Sequence, residues 1–126
     1  MSKKSILVVE DNDDSRNAIV VMIESFGYSV RAFASGEAAI AEIREDAKNG
    51  SKLDLALLDI MMPGMDGYEV LVEIKKIDQY KTLPCVMVTA KDADSEVIEG
   101  YKYGADYYIT KPFTAKQLKY GIELYL

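Results

Sequence analysis

Apolar residues in this chain come in short runs, and four of those runs stop abruptly at a reactive polar residue. Ile6–Val9 leads into Glu10 and Asp11, and Leu53–Leu58, interrupted only by Asp54, leads into Asp59. Cys85–Val88 leads into Thr89, and Tyr107–Thr110 leads into Lys111 and Pro112. Runs of this length suit strands buried on both faces of a parallel sheet. The segments between them carry helical spacing. Ser15, Ile19, Met22 and Phe26 predict an amphipathic helix that ends at Gly27. Tyr28–Phe33 alternates and predicts a strand nearer the sheet edge. Ser35 is placed to cap a helix whose apolar stripe is Ala39, Ile40 and Ile43, and which runs out before Asn49-Gly50-Ser51.

The second half repeats the alternation. Met61–Gly67 carries the turn signals Pro63-Gly64 and Asp66-Gly67. A third helix over Tyr68–Ile77 turns Val70, Leu71 and Ile74 inward, and the fourth strand follows Pro84. A fourth helix is expected near Ser95–Tyr103, ending at Gly104, and a last one after Thr114 with Leu118, Ile122 and Tyr125 at helical spacing. Strands separated by helix-length segments mean βαβ units with right-handed crossovers. The expectation is one α/β domain over residues 1–126, a doubly wound parallel sheet of (βα)5 form.

In such sheets ligands bind beyond the carboxyl ends of the strands. Three carboxylates, a hydroxyl and an ammonium should therefore converge. Asp59 is the candidate nucleophile, since a carboxylate can attack phosphorus when a metal neutralises the crowded negative charge. Glu10, Asp11 and Asp59 offer hard oxygen ligands to a divalent cation, and a backbone carbonyl just past Asp59, that of Met61, could complete the shell. Few ligands with room for water and phosphate suit Mg2+ better than Ca2+. Thr89 would donate its hydroxyl to a phosphoryl oxygen, and Lys111 would pair with Asp59 at rest and with the phosphoryl group afterwards. Each of these residues has an ordinary use when taken singly, as helix-end acid, strand threonine or solvated lysine. Their joint position at the ends of four of the five expected strands is what points to one site.

Composition narrows the partners. The chain has 126 residues, 49% hydrophobic and 29% charged, which suits one soluble globular domain. Net charge is −6 and basic residues never run beyond pairs, which argues against direct nucleic-acid binding. With no histidine and a single cysteine, Cys85, a zinc site of the usual ligands is excluded. The few apolar residues before Glu10 make neither a signal-peptide core nor a membrane span, so a cytoplasmic protein without membrane contact is expected.

The segments ILVVEDND, LALLDIMMPGMDGYEVL, VMVTAKD and YYITKPF closely resemble the receiver domain of two-component response regulators, the CheY-like family, over Ser5 to about Leu126. The resemblance implies a flavodoxin-like fold with strand order 2-1-3-4-5. It implies that Asp59 accepts a phosphoryl group from a phosphohistidine of a sensor histidine kinase or histidine phosphotransfer protein. Glu10 and Asp11 match the acidic pair for Mg2+, Asp11 directly and Glu10 through water; Glu10 stands where many members have Asp. Thr89 and Lys111 match the phosphate-contact and switch pair, and Tyr108 the aromatic residue that turns inward when Thr89 moves. Lys111-Pro112 matches a peptide bond that is usually cis. Met61, Ala90 and Lys91 flank the site. The bulk of Met61 and the charge of Lys91 are expected to shield the acyl phosphate from water.

Surfaces follow from the same resemblance. Six of the nine tyrosines fall between Tyr101 and Tyr125, which marks the face of the fourth helix, fifth strand and fifth helix as an output or self-association surface. Tyr125 is expected in the core, and Gly121 has no evident packing need. The first helix, with Val20 exposed beside Arg16 and Asn17, and the Pro112-Phe113 loop are expected to meet the phosphodonor partner. The protein is expected to be a switch and not a turnover enzyme on an external substrate. No effector domain is expected in the chain, which is either a stand-alone regulator or a receiver from a longer transcription factor or hybrid kinase. An aspartate-nucleophile phosphatase is the enzymatic alternative, but it needs a second acid where Met61 stands. A flavodoxin-type electron carrier is opposed by the acids of Glu10–Asp14, which would repel a flavin phosphate.

Overall fold

Runs of apolar residues too short for helices and apolar on both faces become the centre of the sheet. The computed structural model describes residues 3–50, 52–89 and 104–126. Strands β1 (Ser5–Val9), β2 (Ser29–Phe33), β3 (Leu55–Asp59), β4 (Cys85–Thr89) and β5 (Tyr107–Thr110) form one sheet in the order β2-β1-β3-β4-β5. Every pairing is parallel. The helices among the described residues are α1 (Asp13–Ser25), α2 (Gly36–Lys48), α3 (Gly67–Lys75) and a C-terminal helix (Ala115–Glu123). The expected fourth helix lies outside the described residues, together with Ala90, Lys91, Tyr101 and Tyr103. None of the described helices is long and apolar enough to cross a membrane.

Alternate residues of the inner strands feed two separate cores. Leu7, Val9, Ala56, Leu58, Cys85 and Met87 pack with Ala39, Ile40 and Ile43 of α2 and Val70, Leu71 and Ile74 of α3. Ile6, Val8, Leu55, Leu57, Val86 and Val88 pack with Ile19 and Ile23 of α1 and with Leu118 and Ile122 of the C-terminal helix. The result is an α/β/α sandwich in which β3 and β4 are buried along their whole length. Cys85 lies within the first of these cores, where burial pushes its thiol up to about 12. Strand β2 is at the edge, with Ser29 and Ala32 exposed. Its Arg31 is half-buried and ion-paired to Asp46.

Several local expectations are corrected by packing. The buried stripe of α1 is Ile19 and Ile23, with Met22 and Phe26 only flanking it. Val20 is half-buried, and Val21, at 66% exposure, is the valine that faces solvent. A 3-10 turn at Asp78–Tyr80, not foreseen in the sequence, buries Tyr80. Tyr125 lies beyond the last helix, half-buried, with its hydroxyl donating to the Asp106 carbonyl at 2.7 Å. Gly121 does have a packing need. A Cβ there would come within 3.0 Å of Ile109 Cδ1 and 3.3 Å of Tyr107 Cε2, so the glycine lets the C-terminal helix lie close on β5.

Among the described glycines the tightest surroundings are those of Gly67, the first residue of α3. Its N–H donates to the Ile60 carbonyl at 3.1 Å, and a Cβ would stand 2.4 Å from the Asp59 carbonyl oxygen. The first turn of α3 is thereby pressed against the backbone that carries Asp59. Gly67→Ala is expected to destabilise the fold by about 1–3 kcal/mol, the usual cost of overpacking. That exceeds the gain of up to ~1 kcal/mol from alanine's helix propensity. Urea denaturation checks this, and an unchanged midpoint would show that α3 can simply back away.

Candidate functional site

Register sets the site. Val9 pairs with Leu58 and Asp59 pairs with Val88, so Glu10 emerges from β1 beside Asp59 at the end of β3. Thr89 pairs with Thr110, which brings Lys111 to the adjoining strand end. Carboxylate oxygens of Glu10, Asp11 and Asp59 all lie within 4.8 Å of one another. Glu10 and Asp59 are buried and Asp11 is exposed, so the cluster is closed below and open above.

Among the described residues, one lysine stands against these acids. Lys111 Nζ is 2.7 Å from Glu10 Oε1 and 3.4 Å from Asp59 Oδ2, so its nearer partner is Glu10 and not Asp59 alone. The other Glu10 oxygen accepts the Asn12 N–H at 3.2 Å. Asn12 also caps α1 through its side chain, accepting the Ser15 N–H at 2.9 Å. Arg16, one turn into α1, donates to the Glu10 carbonyl at 3.0 Å and to Asp13 at 2.6 Å. Asn12 and Arg16 fix Glu10 in place. The sequence announces neither contact, since Asn12 reaches Glu10 through its backbone N–H and Arg16 reaches the Glu10 carbonyl from one turn into α1.

The electrostatics follow from burial and crowding. Burial first, then the neighbouring Glu10 carboxyl, pushes Asp59 up from its ordinary 3.8 to about 7, against the pull of Lys111. Burial also acts to raise Glu10, but its hydrogen bonds with Asp59, Lys111 and the Asn12 N–H outweigh it and hold the carboxyl below the usual range. Burial disfavours the Lys111 ammonium, and the two carboxylates outweigh that and raise its pKa. Among the described residues, the three carboxylates thus outnumber the one lysine that faces them. Three oxygen donors, two buried and one open to solvent, fit a small hard divalent cation.

The remaining candidates take different places. Thr89 is buried at the end of β4, and the Lys111 N–H donates to its carbonyl at 2.8 Å. The Lys111–Pro112 peptide bond is cis. The Met61 side chain is 64% exposed. Tyr108 packs against the α2–α3 core, and its hydroxyl is 3.3 Å from that of Tyr68 in α3. Tyr68 had not been singled out, because only the tertiary fold brings the two rings together. On the outer side, Ser15, Ala18, Ile19, Met22, Lys111 and Phe113 are among the residues lining a groove of about 500 Å3 between α1 and the Pro112 loop.

The acids' placement makes one stability prediction. A folded-state value near 7, above the ordinary 3.8, means that stability is greatest below about 4, falls as pH rises from about 4 to about 7 and levels off above that. Asp59→Asn cannot ionise. It is expected to raise the Tm of the protein in EDTA at pH 8, with a gain that shrinks as the pH is lowered towards about 4. Thermal unfolding followed by circular dichroism decides the point, and a gain independent of pH would mean that charge crowding is not the cause.

The response regulator receiver domain model matches residues 6–123. The regulatory protein VanRc of Enterococcus gallinarum is 40% identical over 113 residues, covering 90% of this chain and 45% of that protein. The transcriptional regulatory protein AfsQ1 of Streptomyces coelicolor is 38% identical over 114 residues, covering 90% of this chain and 47% of that protein. The chain spans about half the length of the curated relatives it matches. Among solved structures, chemotaxis protein CheY4 of Vibrio cholerae superimposes with a TM-score of 0.91 at 26% identity, covering 99% of this chain and all of that one. A CheY-like receiver domain protein of Methanospirillum hungatei gives 0.85 at 29% identity, covering 98% of this chain and 93% of that one. Because the match runs from β1 into the C-terminal helix, the chain belongs to the response regulator receiver domains of two-component systems.

Proposed function

We propose that residues 1–126 form a phosphoacceptor unit in which Asp59 takes a phosphoryl group from a phosphohistidine of a sensor kinase or histidine phosphotransfer protein. The observation that carries this reading is the gathering of Glu10, Asp11 and Asp59 within 4.8 Å, with Lys111 Nζ in reach of two of them. Asp11, exposed, and Asp59 would hold Mg2+ directly, with the Met61 carbonyl as a further ligand. Glu10 is already bonded to Lys111 and the Asn12 N–H, which supports a role through water. Bound there, the cation would supply charge neutralisation for an incoming phosphoryl group.

An Asp59 oxygen forms a bond to phosphorus while the donor's P–N bond breaks. The electron pair returns to the imidazole nitrogen, and the product is an acyl phosphate. Lys111 then swings its attraction from the carboxylates to the phosphoryl oxygens, and the Thr89 hydroxyl donates to one of them. Tyr108 follows Thr89 inward, altering the face built on β5 and the C-terminal helix. Phosphorylation selects between two arrangements that the domain already samples. The output acts in the cytoplasm, on a separate partner, a second copy or an effector segment of a longer regulator.

Intact mass after incubation with acetyl phosphate tests the reading. A gain of one phosphoryl group, dependent on Mg2+, labile to hydroxylamine and absent in Asp59→Asn, is expected. Retention of the gain in that variant would sink the assignment of Asp59. The flanking residues generate a second expectation, on the lifetime of the product. A Met61→Asn, Lys91→Glu double variant should lose its phosphoryl group several-fold faster than wild type, because the shield is replaced by groups that orient water. Equal decay rates, read from the mass spectrum over time, would remove the shielding role.

A further inference from the structure

The start of α2 differs from those of α3 and the C-terminal helix. In α3 and in the C-terminal helix, the third residue folds back on its own cap. Glu69 accepts the Asp66 N–H at 3.3 Å, and Gln117 accepts the Thr114 N–H at 2.8 Å. In α2 the Ser35 hydroxyl caps the Ala38 N–H at 3.2 Å, but alanine at that third position has nothing to return. The acid stands one residue earlier, at Glu37, and it reaches a different element. Glu37 Oε1 accepts the Met65 N–H at 3.0 Å.

The fit around this contact is close. Gly64 holds a φ of +71°, and a Cβ there would lie 3.4 and 3.5 Å from the two Glu37 carboxylate oxygens. Gly36, buried beside Glu37, leaves room for neighbours that a Cβ would meet at 2.9 Å from Met65 Sδ and 2.5 Å from Val70 Cγ2. The Glu37 and Met65 contacts fall on the loop from Met61 to Asp66, and the Val70 contact falls on α3 just beyond it. The ends of that loop are already tied by the Gly67 N–H on the Ile60 carbonyl at 3.1 Å. Glu37 therefore adds a third fixed point to a short closed loop that begins at Met61.

We propose that Glu37 is a positioning residue: its carboxylate fixes the Met61–Asp66 loop in the shape that presents the Met61 carbonyl beside Asp59, and so sets Mg2+ affinity from outside the site. This rests on the reading of the Met61 carbonyl as a metal ligand. Glu37 touches neither the cation nor the phosphoryl group. Its influence passes through the Met65 N–H and the loop backbone.

The test compares Glu37→Ala with Glu37→Gln by NMR of the whole chain, following amide hydrogen exchange and a titration with Mg2+. Glutamine keeps the acceptor oxygen and loses the charge. In Glu37→Ala, the Met65 N–H is expected to exchange about tenfold faster and Mg2+ to bind several-fold more weakly, since a hydrogen bond to a charged acceptor is lost. The amides of β1, β3 and β4 should exchange as in wild type, and Glu37→Gln should recover most of both effects. Equal weakening of Mg2+ binding in the two variants would show that the carboxylate acts by charge alone, and would overturn the proposal. Unchanged Met65 exchange in Glu37→Ala, or faster exchange with unchanged Mg2+ affinity, would overturn it as well. If Asp11 and Asp59 respond to Mg2+ in wild type while Met61 and Met62 do not, the Met61 ligand is wrong and the affinity effect falls with it. The exchange of Met65 would then still report whether Glu37 holds the loop.

Discussion

Two carboxylates buried side by side are the most demanding feature of this fold, and Lys111 is what makes them tolerable. Isolated charge in an apolar interior is strongly unfavourable unless it is paired and hydrogen-bonded. Glu10 and Asp59 have almost no contact with solvent, whereas the Lys111 side chain is 34% exposed and reaches both of them from the rim. Its closer bond to Glu10 leaves Asp59 the less compensated of the two acids. Burial and the contact between the two carboxyls push Asp59 towards neutrality and hold Glu10 ionised, and the Lys111 asymmetry acts in the same direction. The arrangement favours a cation above Asp59 and a nucleophile whose charge is released once the cation is present.

The geometry that creates this crowding is a property of the backbone before it is a property of the side chains. Strand β3 lies between β1 and β4, so the residue at its end is flanked by strand ends on both sides. A shift of one residue in the β1–β3 register would exchange the two core faces and carry Glu10 away from Asp59. The register is secured by the cores themselves, since alternate residues of each inner strand belong to different helical layers. Packing on both faces therefore fixes where the acids meet, and Gly67 then fixes where α3 begins over them.

Most of this was legible from the chain because it depends on local pattern. Apolar runs ending in Glu10, Asp59, Thr89 and Lys111 announced the sheet, its direction and the common end of its strands. Alternation in β2 announced an edge, and Ser35 and Thr114 announced their helices. What escaped depends on how elements approach one another. Gly121 reads as an unexplained glycine until the C-terminal helix is laid on Ile109 and Tyr107. Helical spacing alone could not tell the inward stripe of α1 from its flank, so Ile23 was missed and the solvent-facing valine was placed one residue early. Glu37 reads as an ordinary first-turn acid of α2, because the partner it finds is 28 residues away in sequence.

The same approach of elements links the site to its surroundings on the α2–α3 side. Gly67 rests on the Asp59 carbonyl, the next residue is Tyr68, and the Tyr68 hydroxyl lies 3.3 Å from that of Tyr108 on β5. A contiguous path of packed groups thus runs from the backbone of the proposed phosphoacceptor to the proposed switch residue without passing through Thr89. Contiguity supplies a route, and coupling requires that the route have two arrangements. The hydroxyl contact is a natural place for the second arrangement to differ, because the proposed inward turn of Tyr108 changes its distance to the Tyr68 hydroxyl. Since the first turn of α3 is held against Asp59 by a glycine with no room for a Cβ, a displacement of Tyr68 that shifts that turn would bear directly on the Asp59 backbone.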